Sequence, residues 1–218
     1  SFAVLGWIGR EIYLAAPPIP ATVATTTGEV LFTGEDIRRG QQAWLSAGGQ
    51  QLGSVWGHGS YVAPDWSADW LHREALELRE LQSRRLFGES YSRLTLEQRG
   101  GIDARLRTEM RSNGFDPEAD MLVVSAERAT AIRSTAAHYA GLFGAEPALD
   151  VLREQYAMTA DTLPEAADRS ALTAFFFWAS WSASTDRPGE AGLSYTSNWP
   201  HEPLVGNALT TGSAVWSV

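Results

Sequence analysis

Cysteine is absent from this chain of 218 residues. That rules out a disulfide framework, a thiolate metal site and a C-x-x-C-H attachment for covalent haem. Lysine is absent as well, so all 17 basic residues are arginine, set against 26 acidic ones for a formal charge of −9. An acidic chain without a basic stripe argues against nucleic acid and against an anionic membrane surface as partners. Histidine is scarce, and His58, His72, His138 and His201 lack the H-x-x-x-H or H-E-x-x-H spacing of a metal site. No G-x-S-x-G elbow is present, and Gly48-Gly49 follows a helix instead of opening one, which sets aside a nucleophile elbow and a phosphate loop.

What the chain does have is apolar mass. It is 44% hydrophobic with nine tryptophans, enough to fill one core without staples. Ser1 to Ile8 is apolar but too short to span a bilayer, and Val215-Trp216-Ser217-Val218 is apolar too. The expected organisation is the end of a membrane helix over 1–14, a domain between two spans over 15–212, and the start of the next membrane helix over 213–218.

Local signals predict a mainly α fold with a small β-hairpin near the N-terminus. Pro17-Pro18-Ile19-Pro20 reads as an extended stalk. Val23–Thr25 and Val30–Phe32 flank Thr26-Thr27-Gly28-Glu29 as a hairpin. Helices follow from Thr33 or Gly34 to Gly48, from about Ser67 to Phe87, and from a Thr95/Gln98 capping box through Met110. Ser125 caps a helix carrying Ile132, Ala136, Tyr139 and Phe143. Pro147 opens another, and the stretch from Pro164 to about Ser184, with Phe175-Phe176-Phe177-Trp178, reads as the central core helix. The remainder, from Thr185 on, is irregular.

Asp65 and Asp69 stand among Trp66 and Trp70, an arrangement sugar-processing sites use, but Asp65 precedes a helix and fits better as its cap. What remains are two dense loop segments, Gly48–Trp66 and Asp186–Asn207, rich in Gly, Pro, Trp and Tyr. Rigid loops of this kind dock against large surfaces. Three functional readings follow: a docking domain of a larger assembly, a free-standing small-molecule or sugar-binding module with Trp-rich loops, and a hydrolase using Asp65, Asp69 or Glu202.

The stretches Gly53 to Glu74 and Asn198 to Asn207 resemble signatures of the quinol-dependent nitric oxide reductases, single-chain relatives of the haem-copper oxidases. The resemblance runs from the Tyr13-to-Pro20 stalk to Trp216. It implies a haem-less cytochrome c-like domain with extra helices, on the periplasmic face of the bacterial cytoplasmic membrane. In the two-chain relatives a C-x-x-C-H motif precedes a G-A-Y-x-A-P segment. Here Gly59-Ser60-Tyr61-Val62-Ala63-Pro64 is similar to the second, and Gly49-Gln50-Gln51-Leu52-Gly53 stands where the haem motif would be.

A vacated haem pocket cannot stay empty at protein packing density, so Trp44, Trp56, Phe175, Phe176 and Trp178 are expected to fill it. The parent enzyme is expected to join two NO into N2O and water with two electrons and two protons. It would use two haems, a non-haem iron and quinol, all in the membrane catalytic domain of the same chain, leaving no catalytic residue and no cofactor in this one. The resemblance further implies calcium held in the full-length protein by main-chain oxygens of Gly59 and Tyr61. Docking on the catalytic core would fall to Trp56, His58, Tyr61, Asp65, Trp66, Arg187, Asn198, Trp199, Glu202 and Asn207.

Overall fold

A computed structural model describes residues 2–14, 16–57, 59 and 62–208; the expected membrane-helix start at 213–218 lies outside them. Among the described residues, seven helices and a small sheet make up the fold: α1 (Phe2–Leu14), β1 (Thr22–Thr25), β2 (Val30–Thr33), α2 (Gly34–Ser46), α3 (Trp66–Phe87), α4 (Leu96–Arg111), β3 (Phe115–Asp116), β4 (Met121–Val124), α5 (Ala126–Leu142), α6 (Asp150–Gln155) and α7 (Ala166–Ser184). The fold is mainly α, as expected.

The helix starts follow from their caps. Thr33 and Asp36 form a reciprocal capping box on α2, and Thr95 and Gln98 do the same on α4. Asp65 and Ser125 accept from the third helical N–H of α3 and α5. Pro147 opens a 3-10 turn over Pro147–Leu149 that leads into α6, instead of an α-helix directly.

The predicted hairpin is half of a larger sheet. The strand order is β2-β1-β4-β3, with β4 parallel to β1 and β3 antiparallel to β4. Four-residue β4 pairs with a strand almost a hundred positions earlier, and a run that short carries no decisive periodicity of its own.

α7 is the axis of the domain. Every residue from Ala171 to Ser184 is buried, and α2, α3 and α5 pack around it. Its closest neighbour is α2, because Gly40 lacks a side chain: a Cβ there would lie 2.0 Å from the Ala171 carbonyl oxygen. A second, smaller apolar cluster joins Leu71, Ala75 and Leu78 of α3 to Leu106 and Met110 of α4, Ala131 of α5 and Val205. α1 exposes Phe2, Val4, Leu5 and Trp7. Among the described residues no helix is long and apolar enough to cross a membrane.

Two polar networks tie α3 to α5 inside this apolar frame. The fully buried Glu74 accepts from Arg128 Nε at 2.8 Å and from Trp70 Nε1 at 2.8 Å. One turn away, Asp69 accepts from the Tyr139 hydroxyl at 2.5 Å and from Arg73 Nε at 2.8 Å. Burial, reinforced by the Asp69 charge, pushes the Tyr139 hydroxyl well above its ordinary value. Beside it, burial and then the Arg73 charge push His138 below its ordinary 6.5.

Removing one partner of a buried ion pair leaves the other charge uncompensated. Glu74→Ala is therefore expected to cost about 3–5 kcal/mol in chemical denaturation; a loss no larger than that of an exposed site would contradict this role for the pair. His138 sets a pH dependence. Its folded value lies below its unfolded one, so its stability contribution is full above about pH 6.5 and is lost as pH falls through the folded value. The melting temperature should drop on acidification from pH 7.5 to 5, and His138→Gln should flatten part of that drop.

Candidate functional site

The two loops singled out in the sequence meet in space. In the first, a 3-10 turn over Gly49–Gln51 leads to an isolated bridge between Ser54 and Asp65, where Trp66 N donates to Ser54 O at 2.8 Å. Asp65 is the organiser. One carboxylate oxygen accepts from Ser54 Oγ and Gly57 N, both at 2.7 Å; the other accepts from Ser67 Oγ and from Ala68 N at 3.0 Å. Ser54 Oγ in turn accepts from Gly59 N at 2.6 Å. A carboxylate with four donors and 8% exposure is a loop staple as well as a helix cap.

Trp66, the next residue, is wholly buried. Its ring stacks on Phe176 at 5.7 Å and meets the edges of Tyr139, Phe143 and Tyr156. The indole also closes position 53. Gly53 sits at φ +149°, and a Cβ there would lie 2.3 Å from Trp66 Nε1 and 2.8 Å from the Pro64 carbonyl oxygen. Leu52 and Val55 pack on the same core.

The rings expected to fill a haem-sized space are in mutual contact. Trp44 meets Phe175 at 5.8 Å, Trp56 meets Trp178 at 5.3 Å, and Phe175 contacts both Phe176 and Trp178 at 6.1 Å. With no thiol in the chain, no side chain at 53 and a continuous run of rings beside it, these residues do not fit a covalently attached haem.

The second loop is built around Arg111 at the end of α4. Its guanidinium donates to Asn207 Oδ1 at 2.9 Å and to Asn198 Oδ1 at 3.1 Å, and pairs with Asp186 at 2.5 Å. Asn198, at φ +65°, also accepts from Ser194 N and donates to the Gly192 and Ala208 carbonyls. Glu202 caps a 3-10 turn over Pro203–Val205 through Leu204 N and meets His72 Nδ1 of α3 at 3.0 Å.

Three bonds join the loops to each other and to α7. Trp199 Nε1 donates to Gly57 O at 3.0 Å, bridging the loops. Trp56 Nε1 donates to Ala179 O at 2.8 Å, and Asn207 Nδ2 to Ala183 O at 2.9 Å, one helical turn further on. Trp56 holds φ +53°, a conformation bulky residues rarely adopt, with its own N–H on Ser67 Oγ. The two segments are thus one bolted unit.

The anticipated docking side chains divide accordingly. Asp65, Trp66, Asn198, Glu202 and Asn207 are buried and engaged inside the domain, while Trp56, Trp199 and Arg187 are half-buried at its surface. Arg187 Nε lies 3.5 Å from Glu190, too far for a good hydrogen bond. His58 and Tyr61 lie outside the described residues, as does the Tyr61 half of the calcium pair. Among the described residues no group of three or more acidic or histidine side chains could hold a metal.

The carboxylates considered for hydrolysis are all committed: Asp65 to its loop, Asp69 to Tyr139 and Arg73, Glu202 to His72 and Leu204. Of the described tryptophans only Trp7 is exposed, so the described part of the loops presents no bare indole as a sugar platform. Sequence reasoning missed Arg111, Ser54, Ser67 and His72. An arginine in the last helical turn ordinarily reads as a solvated partner of the helix dipole, and nothing local betrays its distant partners.

The family model for the NorB cytochrome c-like domain of nitric oxide reductase matches residues 20–201. No curated protein matches the chain.

Asp65→Ala would strand two hydroxyls and two main-chain N–H groups and should cost roughly 2 kcal/mol or more. Gly53→Ala should destabilise the domain as well, because the added methyl must displace the Trp66 indole or the Pro64 carbonyl. Thermal melts of both variants check the pair; a Gly53→Ala protein as stable as the parent would show that the indole yields freely.

Proposed function

The chain belongs to the NorB cytochrome c-like family of nitric oxide reductase domains, and from that membership we propose that it is the haem-less outer cap of a quinol-dependent nitric oxide reductase. The observation that carries the haem-less part is the closed position at Gly53: the Trp66 indole and the Pro64 carbonyl leave no room for a side chain at the residue that stands, by the resemblance, in place of an axial histidine. A domain without haem cannot relay electrons from a soluble cytochrome. Electrons would therefore enter from quinol in the membrane catalytic domain of the same chain, where two haems and a non-haem iron would carry out the reduction of NO. This domain contributes no catalytic residue.

Its role in this reading is structural. The bolted pair of loops presents one rigid face to the catalytic core on the periplasmic side, with the half-buried Trp56, Trp199 and Arg187 at its surface and the buried Asp65, Asn198, Glu202 and Asn207 holding its shape. Rigidity lowers the entropy lost on docking. The exposed apolar residues of α1, Phe2 to Trp7, fit the end of a membrane helix over 1–14. Main-chain oxygens suit a hard cation, so Gly59 and Tyr61 remain the proposed calcium ligands in the full-length parent, completed by groups of the catalytic domain.

The electron donor tests the proposal. Full-length parent in detergent should consume NO with a reduced quinol and show no turnover with reduced cytochrome c. Turnover supported by the cytochrome and none by quinol would overturn it.

A further inference from the structure

Aromatic rings form an unbroken ladder through the core. It runs from the half-buried Trp56 to Trp178 at 5.3 Å, continues through Phe175 and Phe176 in steps of 6.1 Å, and reaches Tyr139 from Phe176 at 5.5 Å. Tyr139 is wholly buried and lies face to face with the equally buried Trp70, ring centroids 5.2 Å apart and planes 11° from parallel. Each ring of this pair gives its one polar hydrogen to a carboxylate. The Tyr139 hydroxyl donates to Asp69 at 2.5 Å, and Trp70 Nε1 donates to Glu74 at 2.8 Å.

Packing does not require the hydroxyl. A phenylalanine with an apolar residue opposite would fill the same space, and such replacements of buried polar pairs are often neutral or stabilising. What a buried phenol on a carboxylate adds is the ability to lose an electron without leaving a charge on the ring. We propose that Tyr139 is a redox-active tyrosine that gives one electron to strong one-electron oxidants reaching the domain. The ring's electron passes to the oxidant, which is reduced by one electron. The phenolic O–H bond breaks as a new O–H bond forms on Asp69, within proton-transfer reach. The products are a neutral phenoxyl radical and a neutral carboxylic acid. With no acceptor the oxidised ring would be a cation in apolar surroundings, which is strongly unfavourable. Arg73, the other partner of Asp69, has a side chain 32% exposed, so water keeps its charge solvated once the carboxylate is protonated. One electron from a reductant of the ascorbate class reverses both transfers. Trp56 belongs to the face proposed for docking; on that reading the ladder leads toward the catalytic core, and an oxidant generated there is the one discharged.

Electron paramagnetic resonance on the full-length parent in detergent tests this, with photogenerated tris(bipyridine)ruthenium(III) as the oxidant. The parent's electron donor does not enter the readout, so this inference and the cap reading fail separately. Oxidation followed by freezing should trap an organic radical that outlives those of exposed side chains, because burial keeps it from water and from other radicals. Its hyperfine pattern should collapse in protein made with ring-deuterated tyrosine. Tyr139→Phe should abolish this persistent signal. So should Asp69→Asn, which keeps an oxygen for the hydroxyl but does not take its proton; thermal melts check that both variants fold, and either one suffices. No persistent radical, a pattern indifferent to the tyrosine label, or a signal retained in either folded variant would overturn the proposal.

Discussion

The burial of one indole governs most of the domain's architecture. Trp66 begins α3, and its ring lies at the junction of α3, α5 and α7, stacked on Phe176 and edged by Tyr139, Phe143 and Tyr156. Aromatic contacts of this kind favour offset and edge-on geometries that fix ring positions closely. Because the ring cannot move, the chain passing over it at position 53 must be glycine, and the residue before it must cap the helix. Asp65 then draws Ser54, Gly57 and Ser67 inward, which fixes the described part of the loop around it. A packing constraint in the core thereby becomes a shape at the surface.

The same core helix that receives Phe176 also anchors the two loops. Trp56 and Asn207 end on carbonyls of Ala179 and Ala183. The second of these belongs to the last turn of α7, whose carbonyls lack helical partners and would otherwise need water. Asn207 supplies that bond and in doing so fixes the end of the second loop. Arg111 holds Asn207, Asn198 and Asp186 together from the end of α4. The face proposed for docking is therefore the outer side of a network whose strong members are inside.

Much of this was legible in the sequence, for physical reasons. Caps at Thr95, Ser125 and Asp65 announce their helices locally, and the dense apolar run around Phe175–Trp178 marks the core helix by composition alone. The short strand β4 was not legible, since it exists only through pairing with β1. Nor were Arg111 and His72, whose partners lie 75 to 130 positions away. The burial of Trp66 was the costliest miss: a tryptophan in a loop signature reads as a contact residue, whereas here it is the pivot against which the loop is built.

Haem content is the most direct test of the cap as a haem-less domain. A pyridine haemochrome assay on the full-length parent should count two haems per chain, the two proposed for the membrane catalytic domain. A third haem per chain would contradict the haem-less cap.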